Sequence, residues 1–386
     1  MTSFSHSSAV KAASALLLAT ALGCGPGDGS KEFDKGLAAF RAGDLLRADR
    51  FFTRAIEIAP GNVDALVAET RVKLATGDIE SAAGFATRAA DLAADDPDVI
   101  SLVAETAWHR KDYDLAQKSY LRLAEGDGFD AATRSVGWTG YGIVENARER
   151  GEASCHLARC AFLRAIRLDR KNASAWYHLG LLYRDGFGYV DAALEQFLFY
   201  VRLAEKADAR VQRVQDVMIG QLREQIAQRR SSVKGASSRN CAVAAAALVR
   251  ATEAAKKKQA KAAKAAYAEA YVADPLSYPA ALGLATCWEK EGTKAALDEA
   301  LRYYRAACEL NPSACRTFLT TAALATKLGR TASAADLYSR AVAANPTDIT
   351  AIDGLIRALG KTGKDRESAR AYQSYRDSLG VRKPKK

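Results

Sequence analysis

An all-α array of paired helices is the fold class this sequence predicts, and three observations carry that reading. Alanine is abundant among the 386 residues while proline occurs only 8 times. Alanine loses the least side-chain entropy in a helix, and proline can neither donate to the helical ladder nor fit within it. A small–aromatic–small triplet recurs at one spacing, in Ala48-Phe52-Ala55, Ala263-Tyr267-Ala270, Ala300-Tyr304-Ala307 and Ala334-Tyr338-Ala341. A proline closes each of these segments, and the last three prolines, Pro275, Pro312 and Pro346, lie 37 and 34 residues apart. A fixed period of that size marks stacked supersecondary units.

The elements follow in order. Residues 1–23 read as a signal peptide. Lys11 precedes an apolar run from Ala12 to Gly23, which is 12 residues long and too short to span a bilayer as a helix. The run ends in Ala21-Leu22-Gly23-Cys24, which resembles a bacterial lipoprotein signal with Cys24 as the acylated residue, although Ala21 and Leu22 are swapped relative to the usual order. Ordinary secretory cleavage nearby or an uncleaved anchor are the alternatives. Gly-Pro-Gly-Asp-Gly-Ser follows, so 24–30 is a flexible tether.

Residues 31–205 are expected to form a first block of about five helix pairs. Each pair has a turn marked by Gly43-Asp44, Gly77-Asp78 or Lys111-Asp112, or by a longer turn around Gly151. In the second helices the four-then-three spacing sets all three positions of the triplet on one face. Small residues there let a neighbouring helix approach, and the aromatic fills the gap beside them. Ala82-Ala86-Ala89, Ala116-Tyr120-Leu123 and Ala158-Phe162-Ala165 extend the series. Residues 206–239 break the rhythm. Val211, Val214, Met218, Leu222 and Ile226 keep one apolar stripe, predicting a lone helix that acts as a junction. Residues 240–380 form a second block of about four pairs, ending on Ser368-Tyr372-Tyr375. Residues 381–386 are a basic tail.

This helix–turn–helix unit resembles the tetratricopeptide repeat. The best single match is Ala175-Trp176-Tyr177-His178-Leu179-Gly180-Leu181-Leu182-Tyr183, whose Trp, Leu-Gly and Tyr stand at the family's spacing. Asp185-Gly186-Phe187-Gly188 then carries one extra residue and is reminiscent of the Sel1-like variant. The resemblance implies a solenoid of about nine pairs and a non-catalytic scaffold for partner proteins. Repeat lipoproteins of this kind serve outer-membrane assembly, secretion, pilus assembly or peptidoglycan-enzyme control. With Gly25 after the cysteine, the enterobacterial sorting rule points to an outer-membrane lipoprotein facing the periplasm.

The charge balance is uneven. Residues 31–204 carry 23 Lys+Arg against 26 Asp+Glu, a net of −3, whereas 205–386 carry 32 against 18, a net of +14. A basic half attracts anionic polymers, acidic proteins or anionic lipid. Within it, Lys256, Lys290, Lys327 and Lys361 recur at intervals of 34, 37 and 34, each two residues before its turn. They are candidates for a ridge that grips a carboxylate- or phosphate-bearing ligand, against a reading as solvated surface. In the first block Phe33, Phe40, Trp108 and Tyr177 fall on first helices and are candidates for a peptide-binding face, against a reading as core. Nucleic acid is a disfavoured partner.

Catalysis finds little support. The chain shows no Gly-rich phosphate loop, Ser/His/Asp signature or paired catalytic carboxylates, and it holds only four histidines. Cys155, His156 and Cys160 lack a fourth ligand and match no zinc spacing. No cofactor and no metal are therefore expected. Beyond Cys24, six cysteines remain, enough for three disulfides, with Cys308 and Cys315 across the Asn311-Pro312 turn as the favoured pair.

Overall fold

The computed structural model describes residues 29–148, 151–204, 209–362 and 366–380, and every regular element among them is helical. The signal peptide, Cys24, the Gly363-Lys364 turn and the basic tail lie outside the described residues. The helices are α1 (Ser30–Arg41), α2 (Leu45–Ile58), α3 (Val63–Thr76), α4 (Ile79–Leu92), α5 (Pro97–His109), α6 (Tyr113–Glu125), α7 (Ala131–Ala147), α8 (Glu152–Leu168), α9 (Ala173–Leu181) and α10 (Val190–Leu203). They continue as α11 (Ala209–Arg213), α12 (Ile219–Ser231), α13 (Cys241–Lys256), α14 (Ala260–Ala273), α15 (Tyr278–Glu291), α16 (Lys294–Leu310), α17 (Cys315–Lys327), α18 (Thr331–Ala344), α19 (Ile349–Thr362) and α20 (Arg366–Ser378). None of the described helices is long and apolar enough to cross a membrane.

The contacts divide the chain into two compact units. One holds the described residues up to Leu179 together with Phe197–Val217, and the other holds Gly180–Gln196 together with the described residues from Met218 onward. In the first unit, α1 to α8 each pack on the next, and the first helices of successive pairs, α1, α3, α5 and α7, also touch one another. In the second unit, α13 to α20 pack in the same serial way, with α17 touching α19. This is the tetratricopeptide type of solenoid packing, built from local helix–turn–helix units.

The triplet register explains the packing. Ala48, Phe52 and Ala55 are all fully buried, as are Ala300, Tyr304 and Ala307 to within a few per cent. The buried alanines remove side-chain bulk where helices approach, and the ring fills the space between them. Glycines on the facing first helices make room for those rings. A Cβ on Gly140 of α7 would collide with the Tyr120 ring of α6, and one on Gly354 of α19 with the Tyr338 ring of α18.

The turns use a repeated two-residue device. Gly43 and Gly77 take positive φ, at 80° and 83°, and Lys111 does so at 63° despite its side chain. The next residue in each case is an aspartate whose carboxylate accepts a backbone N–H of the following helix, at 3.0 Å for Asp44, 3.2 Å for Asp78 and 3.1 Å for Asp112.

The extra residue at Asp185–Gly188 has a structural outlet. Leu182–Gly186 forms a π-helical turn, in which Phe187 N–H donates to the Leu182 carbonyl at 3.1 Å. A π-turn accommodates one more residue than an α-turn without ending the helix. A second π-helical stretch, Val214–Met218, joins α11 to α12. Val211, Val214, Met218 and Leu222 of the expected stripe are buried there, and Ile226 is half-buried.

Candidate binding surfaces

The aromatic candidates of the first unit separate into two kinds. Phe40 is 2 % exposed and packs with Ala48, Phe52, Ala68 and Val72, so it is a core side chain and presents no face to a ligand. Helical spacing alone could not distinguish it from its neighbours. Phe33 is half-buried, its ring 5.7 Å from that of Phe52. Trp108 is half-buried against Ala107, Ala116 and Val144. Tyr177 is half-buried beside Tyr200 and Phe197, at 5.1 and 6.1 Å between ring centroids, with the Arg210 guanidinium 6.0 Å from its ring. These three keep an accessible edge.

Lys256, Lys290, Lys327 and Lys361 are all exposed, and each lies in the last turn of the first helix of its pair. A cation there complements the negative end of the helix dipole, which accounts for the recurrence without any ligand. Their shared position leaves them free to meet an anion from solvent.

Cys160, Cys241, Cys287, Cys308 and Cys315 are free thiols. Cys308 and Cys315 are not bonded, contrary to the favoured pairing. Cys308 is buried with its Sγ 3.4 Å from Thr321 Oγ1, while Cys315 Sγ lies 3.9 Å from the Asp348 carboxylate. Burial pushes the Cys160 and Cys308 thiols up to about 12, which holds them as unreactive thiols. The described residues contain no cluster of three His, Cys, Asp or Glu side chains arranged to hold a metal.

Charged groups inside the first unit escaped the sequence reading. Glu69 of α3 is fully buried. Lys73 Nζ lies 2.5 Å from Asp49 Oδ1 on α2 and 3.4 Å from Glu69 Oε1. Burial, reinforced by Asp49, pushes the Glu69 carboxyl up to about 8. The position is telling. Glu69 is the ninth residue after Pro60, and the ninth residues after Pro275, Pro312 and Pro346 are Leu284, Thr321 and Leu355, all buried. One repeat therefore holds a carboxylate where its counterparts hold leucine or threonine. His156 and His178 are held neutral, pushed down to about 3 and about 4 by burial, with Arg159 and Arg210 adding to the effect.

The second unit contains a groove of about 550 Å³. Its walls are the start of α10 with the residues just before it, the end of α12, the α16–α17 turn, and the last turns of α18. Arg229 donates to Asp191 at 2.7 Å and lies 3.5 Å from Glu309. Arg340 donates to Glu309 at 2.8 Å, lies 3.2 Å from Asp336, and sits 5.1 Å from the centroid of the Tyr189 ring. The Tyr189 hydroxyl donates to Asp336 at 3.1 Å. Phe187 stacks on Tyr189 at 5.3 Å directly after the π-turn. No sequence signal singled out this site, because its walls come from segments more than a hundred residues apart. The extra residue at 185–188 was the one visible hint.

Residues 39–132 match the tetratricopeptide repeat family. No curated protein matches the chain. Among solved structures, a crystal structure of MamA protein is 17 % identical, covering 45 % of this chain and 91 % of its own, at a TM-score of 0.36. The pilF protein of Pseudomonas aeruginosa is 16 % identical over 66 % of this chain and 95 % of its own, at a TM-score of 0.40. The Cut9–Hcn1 hetero-tetramer of APC/C is 14 % identical over 91 % and 79 %, at 0.38. These superpositions are loose, and the helix packing itself identifies the fold class.

Proposed function

We propose that this chain is a non-catalytic scaffold that binds and positions partner proteins at a bacterial cell envelope, in an assembly, secretion or pilus type of role. Lipid on Cys24 anchors it, most simply in the outer membrane facing the periplasm. The observation that carries the scaffold reading is the serial packing of helix pairs, with the first helices α1, α3, α5 and α7 touching in series in the first unit and α17 touching α19 in the second. Such packing presents an extended face from one repeat to the next, and that face is what repeat arrays use for binding. The anchor reading is supported by the short apolar run ending at Cys24 and the Gly-rich tether after it. A single acyl chain binds a membrane only marginally, so the reading requires a multiply acylated cysteine.

Chemical crosslinking in the native host, followed by isolation of the membrane fraction, tests both parts. The expected result is a set of discrete protein adducts, together with a mature N-terminus at Cys24 whose mass includes diacylglyceryl and acyl groups. An unmodified N-terminus at Met1 contradicts the anchor, and adducts confined to polysaccharide or nucleic acid contradict the scaffold.

The exposed lysines of the second unit favour one alternative, an anionic polymer held by the basic half. That reading demands steep salt dependence, with log K falling linearly with log salt as counterions are released. A protein interface seated on apolar and aromatic edges responds far more weakly.

A further inference from the structure

We propose that the groove of the second unit binds an extended peptide segment of a partner protein, an apolar stretch carrying one lysine or arginine whose cation meets Glu195. The proposal rests on the scaffold reading and deepens it by naming the site and the chemistry of what enters.

The groove is held open by its own ion pairs. Arg229 links Asp191 of α10 to Glu309 of α16, and Arg340 of α18 links Glu309 to Asp336. Tyr189 is tied to Asp336 by its hydroxyl and covered by Arg340. These bonds cross between walls contributed by different helices, so the space between them is preorganised. Its apolar lining comes from Val190, Leu194, Leu310, Pro312 and Ala343.

The charge within the groove runs opposite to its surroundings. The lining and its network contain four carboxylates, Asp191, Glu195, Glu309 and Asp336, against three guanidiniums, Arg229, Arg230 and Arg340. That is a net of −1 inside a unit whose residues 180–196 and 218–386 carry 30 Lys+Arg against 18 Asp+Glu, a net of +12. Among the described residues Asp191, Glu309 and Asp336 each have an arginine partner, and Glu195 is the carboxylate for which no ion pair is seen. It also stands four residues from Asp191 on the same helix, where like charges repel. Glu195 is exposed to solvent, and its partial burial together with Asp191 raises its pKa.

The walls of this groove are helix ends and a turn rather than one long face. An extended segment of a few residues fits, with alternate side chains directed to the apolar lining and to Glu195.

Full-length protein is titrated by fluorescence anisotropy with three labelled pentapeptide libraries. Their outer positions are drawn from Ala, Val, Leu, Ile and Phe, and their central residue is Lys, norleucine or Glu. The expected result is tighter binding of the Lys library by about tenfold over the other two, as for one charge-assisted contact. Glu195→Gln removes that preference, and Glu195→Lys reverses it in favour of the Glu library, with helical circular dichroism unchanged. Equal binding of the Lys and Glu libraries overturns the proposal. A Lys preference that survives Glu195→Lys places the site elsewhere and overturns the groove while leaving the scaffold intact. Failure of every library to bind also overturns the groove, and the crosslinking experiment above then decides the scaffold reading independently.

Discussion

The two units use one repeat frame but finish it with different residues. In the first, the turns of the first three pairs each place aspartate after a residue of positive φ, and each aspartate caps the helix that follows. The equivalent turns of the second unit are Lys258-Gln259, Gly292-Thr293 and Gly329-Arg330, and of these only Thr293 caps its helix through the side chain. The interiors differ as well. Among the described residues, buried carboxylates occur in the first unit, at Glu69 and Glu145, whereas the buried ionic group of the second is Arg376, paired to Asp353 at 2.6 Å. The lesson is that the frame tolerates wide variation in caps and charges as long as the small and aromatic positions keep their places. Charge is thus free to serve functions other than folding.

The largest effect is expected at the shared aromatic position. Phe52→Ala removes a fully buried ring and is predicted to cost about 3–5 kcal/mol. Tyr267→Ala, at the same place in the second unit but half-exposed, should cost about half that or less. Hydrogen exchange followed by mass spectrometry reads the loss locally, in α1–α3 and in α14–α15. Equal losses would show that the frame does not tighten at Phe52.

Next in size is the pH dependence. Folded Glu69 keeps its proton up to about pH 8, while an unfolded glutamate releases its own near 4.5. Between these values the native state binds more protons, so stability falls as pH rises. His156 and His178 work in the other direction. Their unfolded forms bind protons below 6.5, which the folded forms resist down to about 3 and about 4, so stability also falls on acidification. Stability of the first unit should therefore peak near pH 6.5 and drop by about 1 kcal/mol toward pH 8, the Glu69 loss being partly offset by the histidines. Glu69→Leu, which installs the residue found at positions 284 and 355, should flatten the alkaline limb. The second unit contains no histidine and should respond less. Exchange rates of α3 measured from pH 5 to 9, corrected for intrinsic exchange, test this.

Caps come third. Asp112→Ala is expected to destabilise by about 1 kcal/mol, and Gln259→Asp to stabilise by a similar amount, since it supplies the acceptor that α14 lacks. Thermal unfolding checks both. The smallest effect belongs to replacing Lys256, Lys290, Lys327 and Lys361 together by alanine. Loss of four exposed charges at helix ends should cost about 1 kcal/mol in all at low salt. It should leave protein adducts unchanged, and loss of those adducts would show that the contact depends on the lysine charges.

Much of the fold was legible because it repeats. The spacing of alanines and rings identified the buried faces, and the extra residue at 185–188 reappeared as a π-turn. Phe40 was ambiguous, since a first-helix aromatic at helical spacing suits a core as well as a groove. Glu69 was hidden because a glutamate on an amphipathic helix reads as solvated until its burial is seen. The groove was beyond reach, since Tyr189 and Asp336 meet only after folding, 147 residues apart in sequence.

The central claim is that this array binds proteins through its repeat faces. A photoreactive benzoylphenylalanine in place of the exposed Lys290, or of the exposed Arg41 in the first unit, tests it in the native host. The account predicts discrete, protease-sensitive adducts in the membrane fraction. Adducts that resist protease and disappear with polysaccharide- or nucleic-acid-degrading enzymes would contradict it.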